Sequence, residues 1–284
     1  MSIKKIAVLG QGQMGSGIVQ HAASKGYEVL LYGRNPEKVA AAVAKIEKAY
    51  GRNVEKGRMT EEAKAAAVAN IKTTSTLEDV ADSDIVIEAI SEDPALKKEF
   101  FTKLDAICKP DAILATNTSS ISITEISTAV KDPSRFIGMH FFSPVPVMKL
   151  VEIILGQGTS EETYAAVKEL CDGLGKISVK VCKDTPGFIV NRCLFAFMLE
   201  AIHVYEDGVA STTDIDLAIK NGLNHPMGPF QMMDLSGLDT FPAVCESLSA
   251  LDVTTWAAPK SVLEKISEGK FGQKSGEGWY VYNK

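Results

Sequence analysis

A chain of 284 residues is long for one hydrophobic core, since compact domains mostly run ~50–200 residues, so two unequal domains are expected. With 45% hydrophobic and 23% charged residues and a mean hydropathy of +0.04, the composition is that of a globular protein and excludes disorder, collagen and a coiled rod. The net charge of −6, from 30 Lys and Arg against 36 Asp and Glu, excludes a global basic surface for nucleic acid or anionic lipid. Any anionic ligand must therefore be met by a local basic patch.

The first segment, Ile6-Ala7-Val8-Leu9, is a short apolar run ended by Gly10. From Gln13 to Lys25 the residues Met14, Ile18, His21 and Ala22 recur at helical spacing, and Tyr27 to Tyr32 returns to strand composition, which makes a βαβ unit. Helices are predicted from about Pro36 through Tyr50 and from Thr60 to about Ala69. Thr76-Leu77-Glu78-Asp79 fits a capping pattern and predicts a short helical turn. Buried strands are predicted at Ile85–Ile90, Ile113–Thr116 and Phe136–Phe141, separated by helices over Lys97–Ile107 and Ile123–Val130. Strands alternating with helices imply a mostly parallel, doubly wound sheet covered on both faces. After Asp184-Thr185-Pro186-Gly187 the alternation stops, and Phe188–Glu206, Thr213–Asn221 and Pro259–Glu268 read as helices. The expected architecture is α/β: a Rossmann-like domain over 1–184 and a smaller all-helical domain over 185–284.

The five cysteines, Cys108, Cys171, Cys182, Cys193 and Cys245, are odd in number, dispersed and never in a C-x-x-C pair. Reduced, buried thiols are expected, with neither a disulfide framework nor a metal site. The apolar run at the N-terminus is too short for a signal peptide and no later stretch approaches the ~18 residues of a membrane span. The cytoplasm is the expected compartment.

Gly10-Gln11-Gly12-Gln13-Met14-Gly15 matches G-x-G-x-x-G at the end of a strand and the start of a helix. There Gly10 permits the tight turn, Gly12 lets a pyrophosphate approach the backbone and Gly15 allows close helix–strand contact, while the helix N-terminus supplies N–H donors. The acid that binds an adenosine 2′-hydroxyl should stand about 20 residues on. Tyr32-Gly33-Arg34-Asn35 occupies that place without a carboxylate. This removes repulsion against a 2′-phosphate and offers the Arg34 guanidinium to it, which points toward NADP(H). NAD(H) stays open, with Arg34 stacked on adenine or facing solvent.

Hydride exchange at a carbonyl carbon leaves an oxygen that needs a proton, and histidine suits that task near neutrality. His21, His203 and His225 read as structural. His140 closes a predicted strand, where ligands of open α/β sheets gather. Twelve residues on, Glu152 lies inside the apolar run Val151-Glu152-Ile153-Ile154. A buried acid needs a partner, and it could fix the tautomer of His140 and stabilise its imidazolium; a structural ion pair is the alternative.

The chain resembles the 3-hydroxyacyl-CoA dehydrogenases of the bacterial 3-hydroxybutyryl-CoA type over essentially its full length. The likeness rests on Gly10–Gly15, Ile87–Ile90, Ala115–Ser120, Gly138–Phe142, Val147–Glu152, Thr185–Arg192, His225–Pro229 and Lys274–Gly278. The resemblance implies that His140 is the general acid/base and Glu152 its orienting partner. It implies that Ser119 and Asn191 hydrogen-bond the reacting oxygen and His140, and that Asn117, Glu92 and Lys97, beside Ala89, line the nicotinamide ribose side. It also implies a homodimer, with the helical domain completing the substrate cleft. The sequence departs from the family at Ser143, where many members have asparagine, and at Gly33-Arg34, where NAD-preferring members have aspartate.

A CoA thioester carries several phosphate charges. Between Arg34 and Arg58 there are seven basic residues (Arg34, Lys38, Lys45, Lys48, Arg52, Lys56, Arg58) against three acids. The resemblance places the CoA adenine and 3′-phosphate here, on Arg52, Lys56 and Arg58; a solvated helix face is the alternative. The expected reaction interconverts acetoacetyl-CoA and (S)-3-hydroxybutyryl-CoA with NAD(P)(H). Competing readings are a dehydrogenase of a free hydroxy acid, of gulonate or carnitine type, and a non-catalytic dinucleotide-binding module.

Overall fold

The computed structural model describes residues 3–249 and 257–282. The chain divides into two compact units at Asp184 and Thr185. The first unit is built on one eight-stranded sheet in the order β3-β2-β1-β4-β5-β6-β7-β8. Its elements run β1 (Lys5–Leu9), α1 (Gln13–Ser24), β2 (Glu28–Tyr32), α2 (Pro36–Glu55), α3 (Glu61–Ala69), β3 (Ile71–Thr74), β4 (Ile85–Glu88), α4 (Pro94–Ile107), β5 (Ile113–Thr116), α5 (Ile123–Ser127), β6 (Phe136–Phe141), β7 (Leu150–Ile154), α6 (Glu161–Gly173) and β8 (Ile177–Val181). Strands β1 to β6 pair in parallel, β7 runs antiparallel to β6, and β8 is parallel to β7. Central strands buried on both faces need continuous apolar runs, and Ile85-Val86-Ile87 and Phe136-Ile137 provide them. The order reverses between β1 and β4, and such a switch point leaves a crevice beyond the carboxyl ends of the strands.

The second unit is helical: α7 (Val190–Glu206), α8 (Thr212–Gly222), α9 (Pro229–Ser236), α10 (Phe241–Ser249) and α11 (Lys260–Ser267). Its core gathers Met198, Ile202, Phe230, Met233, Leu238 and Val262. Two buried aspartates organise it. Asp216 accepts from the Phe230 and Gln231 amides at the start of α9 and from the Tyr280 hydroxyl. Asp234 accepts from the Trp279 and Tyr280 amides and the Tyr282 hydroxyl.

Several elements differ from the sequence expectation. The strand predicted at Ile85–Ile90 stops at Glu88, whose side chain turns back to accept from the Ile90 amide at 2.7 Å. Helix α2 continues past Tyr50 to Glu55. Thr76 opens the turn over Leu77–Val80 without capping it; the Thr74 hydroxyl binds Asp79 instead. Helix α7 begins at Val190 rather than Phe188, because Gly187 (φ 73°) and Phe188 (φ 49°) are left-handed. Strands β3 and β8 and helices α6, α9 and α10 have no counterpart in the sequence reading, and for β7 that reading gives only the apolar run Val151–Ile154. Of the thiols, Cys108, Cys171 and Cys245 are buried but Cys182 and Cys193 are exposed, which corrects the expectation for those two.

Candidate active site

A cavity of about 770 Å³ opens at the carboxyl ends of β1, β4, β5 and β6, a size within the ~300–1,000 Å³ usual for small-molecule sites. At one wall lies the glycine-rich turn. Gly10 has φ 115°, and a Cβ there would stand 2.4 Å from the Ala89 carbonyl oxygen. A Cβ on Gly15 would stand 1.9 Å from the Gly10 carbonyl oxygen, whereas Gly12 faces space empty to 4 Å. Gly10, Gly12, Gln13 and Met14 line the cavity; Gly15 does not, and serves the contact of α1 with its strand.

Helices α2 to α6 each have a side-chain cap, from Asn35, Thr60, Asp93, Ser122 and Ser160. Helix α1 has none, since Gly12 is its N-cap. Its first amides and positive dipole end are therefore left for an anion that reaches the backbone at Gly12. A dinucleotide diphosphate fits this cradle. Beyond the carboxyl end of β2 the wall is Tyr32, Gly33, Arg34, Asn35 and Lys38. Lys38, in the first turn of α2, belongs to the basic stretch that begins at Arg34, and its place in this wall follows from the fold.

The opposite wall rests on a buried ionic network. Lys97 and Glu88 are 1% and 0% exposed, with Nζ and Oε1 2.6 Å apart. Glu88 also accepts from the Thr116 hydroxyl at 2.7 Å, and Lys97 makes a second ion pair with Glu92 at 3.2 Å. A buried cation is tolerated here because it is paired with two carboxylates and its buried partner Glu88 also accepts from the Thr116 hydroxyl and the Ile90 amide. Glu92 in turn accepts from the Thr118 hydroxyl at 2.5 Å and from the Ser119 amide at 2.8 Å. Burial opposes ionisation of Glu92, but Lys97 and these donors outweigh it and hold the carboxyl below its usual range. The network thus fixes the loop carrying Asn117 and Ser119. Asn117 Oδ1 accepts from the Phe141 amide at 2.9 Å and ties that loop to β6.

His140 and Glu152 stand directly opposite each other in the antiparallel ladder of β6 and β7. His140 Nδ1 lies 2.7 Å from Glu152 Oε2, with the carboxylate fully buried. A carboxylate only accepts, so Nδ1 carries the proton of this bond, and exchange with a ligand falls to Nε2. His140 lines the cavity together with Ala89, Glu92, Lys97, Asn117, Ser119 and Ser143. Ser143 also accepts from Gln13 Nε2 at 2.8 Å, which links the connection after β6 to the phosphate turn.

Other expected site residues lie elsewhere. Arg52 is in the last turn of α2, Lys56 is its C-cap and Arg58 follows; all three are exposed and none lines the cavity. Among the described residues none of the seven basic side chains from Arg34 to Arg58 forms an ion pair, so their positive charge is uncompensated by carboxylates at contact distance. Asn191 belongs to the first turn of α7 in the second unit. His21 is held at Nε2 by the Leu174 carbonyl at 2.9 Å, away from the cavity.

The model of the 3-hydroxyacyl-CoA dehydrogenase NAD binding domain matches residues 5–185, and that of the 3-hydroxyacyl-CoA dehydrogenase C-terminal domain matches residues 187–282. The chain belongs to the 3-hydroxyacyl-CoA dehydrogenase family. As a member with this first domain it binds a nicotinamide dinucleotide. The probable 3-hydroxybutyryl-CoA dehydrogenase of Bacillus subtilis is 47% identical over 283 residues, covering 99% of this chain and 98% of that one. The 3-hydroxybutyryl-CoA dehydrogenase of Clostridioides difficile is 45% identical over 281 residues, covering 99% and 100%. Among solved structures, (S)-3-hydroxybutyryl-CoA dehydrogenase from Ralstonia eutropha superimposes with a TM-score of 0.96 at 42% identity, covering all of both chains. No helix among the described residues is long and apolar enough to cross a membrane.

Proposed function

We propose that this chain is a nicotinamide-dependent dehydrogenase that interconverts acetoacetyl-CoA and (S)-3-hydroxybutyryl-CoA. The observation that carries the reading is the His140–Glu152 pair, 2.7 Å apart, set in the wall of a cavity that begins at the glycine-rich turn. When bound, the nicotinamide supplies the hydride in reduction and takes it in oxidation. His140 Nε2 then gives its proton to the new alkoxide, or removes it from the alcohol, while Glu152 holds the ring and balances the imidazolium charge. Ser119, whose backbone amide is anchored on Glu92, donates to the reacting oxygen. For Asn191 the family resemblance supports a second hydrogen bond to that oxygen. The uncompensated cations Arg52, Lys56 and Arg58 meet the phosphates of CoA. A homodimer is part of the same reading and rests on the resemblance alone.

For the coenzyme, the reading is a preference for NADP(H), supported by the absence of a carboxylate at Gly33 and by two cations, Arg34 and Lys38, at the adenosine end of the cavity. The deciding experiment is reduction of acetoacetyl-CoA and of free acetoacetate side by side with NADH and NADPH. Strong preference for the thioester supports the assignment; equal rates would transfer it to a dehydrogenase of free hydroxy acids.

A further inference from the structure

The ionic network beneath the cavity holds two carboxylates and one ammonium. Lys97 makes an ion pair with Glu88 at 2.6 Å and another with Glu92 at 3.2 Å, and among the described residues neither carboxylate pairs with a second cation. The trio therefore sums to a formal charge of −1. Its two acids are placed differently. Glu88 ends β4, between β1 and β5, and directs both oxygens inward: one accepts from Lys97 and the Ile90 amide, the other from the Thr116 hydroxyl. Glu92 has a side chain that is 37% exposed, and it lines the cavity. Coulomb attraction grows as distance and local dielectric fall, so the closer, drier partner takes the larger share of the ammonium charge. The surplus negative charge is left on the carboxylate that faces the cavity.

That surplus belongs to the reacting end. Of the charged side chains lining the cavity, Arg34 and Lys38 stand beyond β2, whereas Glu92 accepts from the amide of Ser119, which lines the cavity with His140. Burial opposes ionisation of Glu92, but Lys97 and the hydrogen-bond donors around it hold the carboxyl below its usual range, so the charge persists at neutral pH. Hydride and proton exchange on one carbon–oxygen bond bring the nicotinamide beside His140. Its ring is a cation when oxidised and neutral when reduced. A fixed negative charge nearby therefore attracts the oxidised form and acts far more weakly on the reduced one.

We infer that Glu88 is a positioning residue that occupies Lys97, so that Glu92 presents a net negative charge to the nicotinamide and the site favours the oxidised over the reduced dinucleotide. Without Glu88, Lys97 would turn its whole charge on Glu92 and the wall would be neutral. The inference rests on the reading of His140 as the proton-exchanging group, which puts the nicotinamide at this end of the cavity. Its consequence reaches the bound reaction. Because reduction of the carbonyl turns a neutral ring into a cation, with the proton supplied by His140, the charged wall shifts the equilibrium between bound species toward the alcohol. The equilibrium in solution is untouched.

The test measures Kd for both redox forms of one dinucleotide, NADP⁺ with NADPH and NAD⁺ with NADH, by titration calorimetry, and takes their ratio. A unit charge acting across a partly solvated cavity changes such a ratio by roughly 3- to 10-fold. Glu88→Gln brings the trio from −1 to 0 and should weaken the oxidised form by that much relative to the reduced one. Glu92→Gln makes the same change of charge at a partly exposed position, where the amide oxygen can still accept from Ser119, and should give the same shift. Glu88→Gln combined with Lys97→Gln returns the sum to −1 and should restore the parent ratio, even where both affinities fall. A purely structural role for Glu88 would lower both affinities together and would not be reversed by removing Lys97. Unchanged ratios in the single variants, or no recovery in the double variant, would overturn the inference while leaving the proposed activity intact. A parent that binds both forms yet reduces no acetoacetyl-CoA would instead remove the functional reading and this inference with it.

Discussion

Replacing Glu152 by Gln removes one charge from the buried pair and little else. The amide keeps the shape of the carboxylate, and its carbonyl can still accept from His140 Nδ1, so the ring is not released. Lost is the charge-assisted component of a 2.7 Å bond in a site where the acid is 0% exposed. Hydrogen bonds to charged groups are worth about 1.5–3 kcal/mol, and at about 1.4 kcal/mol per decade this is roughly a 10- to 100-fold fall in kcat. The assay is the absorbance change of the reduced dinucleotide at saturating acetoacetyl-CoA, with dinucleotide Kd and thermal unfolding measured alongside to separate chemistry from folding. His140→Ala should cost more, about 10²- to 10⁴-fold. Because Glu152 acts through His140, the double variant should match His140→Ala. A Glu152→Gln enzyme within twofold of the parent, or losses that multiply in the double variant, would refute the assignment of Glu152 as the orienting partner.

Coenzyme choice is read from kcat/KM for NADPH and NADH in Arg34→Ala, Lys38→Ala and Gly33→Asp. Each is expected to penalise NADPH selectively, by about tenfold for the loss of one charge-assisted contact; unchanged ratios would exclude a 2′-phosphate site here. Gly33→Ala is the needed control, because any Cβ at this position meets Val39 Cγ2 at 2.6 Å and Gln11 Oε1 at 2.4 Å. His21 bears on acid stability. Burial first, and the neighbouring cations Lys176 and Lys25 after it, lower its pKa from 6.5 to about 4 against the raising effect of the Leu174 carbonyl. Between those values the unfolded chain binds more protons than the folded one, so stability present above pH 6.5 is lost as pH falls toward 4. His21→Gln, which keeps an N–H for Leu174, should flatten urea-unfolding stability over that interval; an unchanged slope would show that other groups govern it.

The alternation of strands and helices was legible because buried parallel strands must be apolar throughout, as Ile85-Val86-Ile87 is. Ile71-Lys72-Thr73-Thr74 and Ile177-Ser178-Val179-Lys180 escaped notice for the converse reason: β3 and β8 are the two edges of the sheet, where polar side chains are affordable. His140 stood out by closing a strand, and Glu152 as an acid among apolar neighbours; that they face each other follows only from the antiparallel turn of β7, which no local pattern announces. The Glu92 contacts span 26 to 28 residues and depend on β4 and β5 being adjacent. Likewise, the Gln13–Ser143 bond joins positions 130 apart. Such pairings are products of strand order, and composition carries no trace of them.

His140 and Glu152 meet across a ladder rather than across a loop, so strand register alone brings them together. A slip of one residue inside either strand would turn one of the two side chains to the opposite face and part them. The proton-transfer pair is therefore protected by the same alternation that keeps Met139, Phe141, Val151 and Ile153 in the core, and a change that moved it would also expose that apolar set.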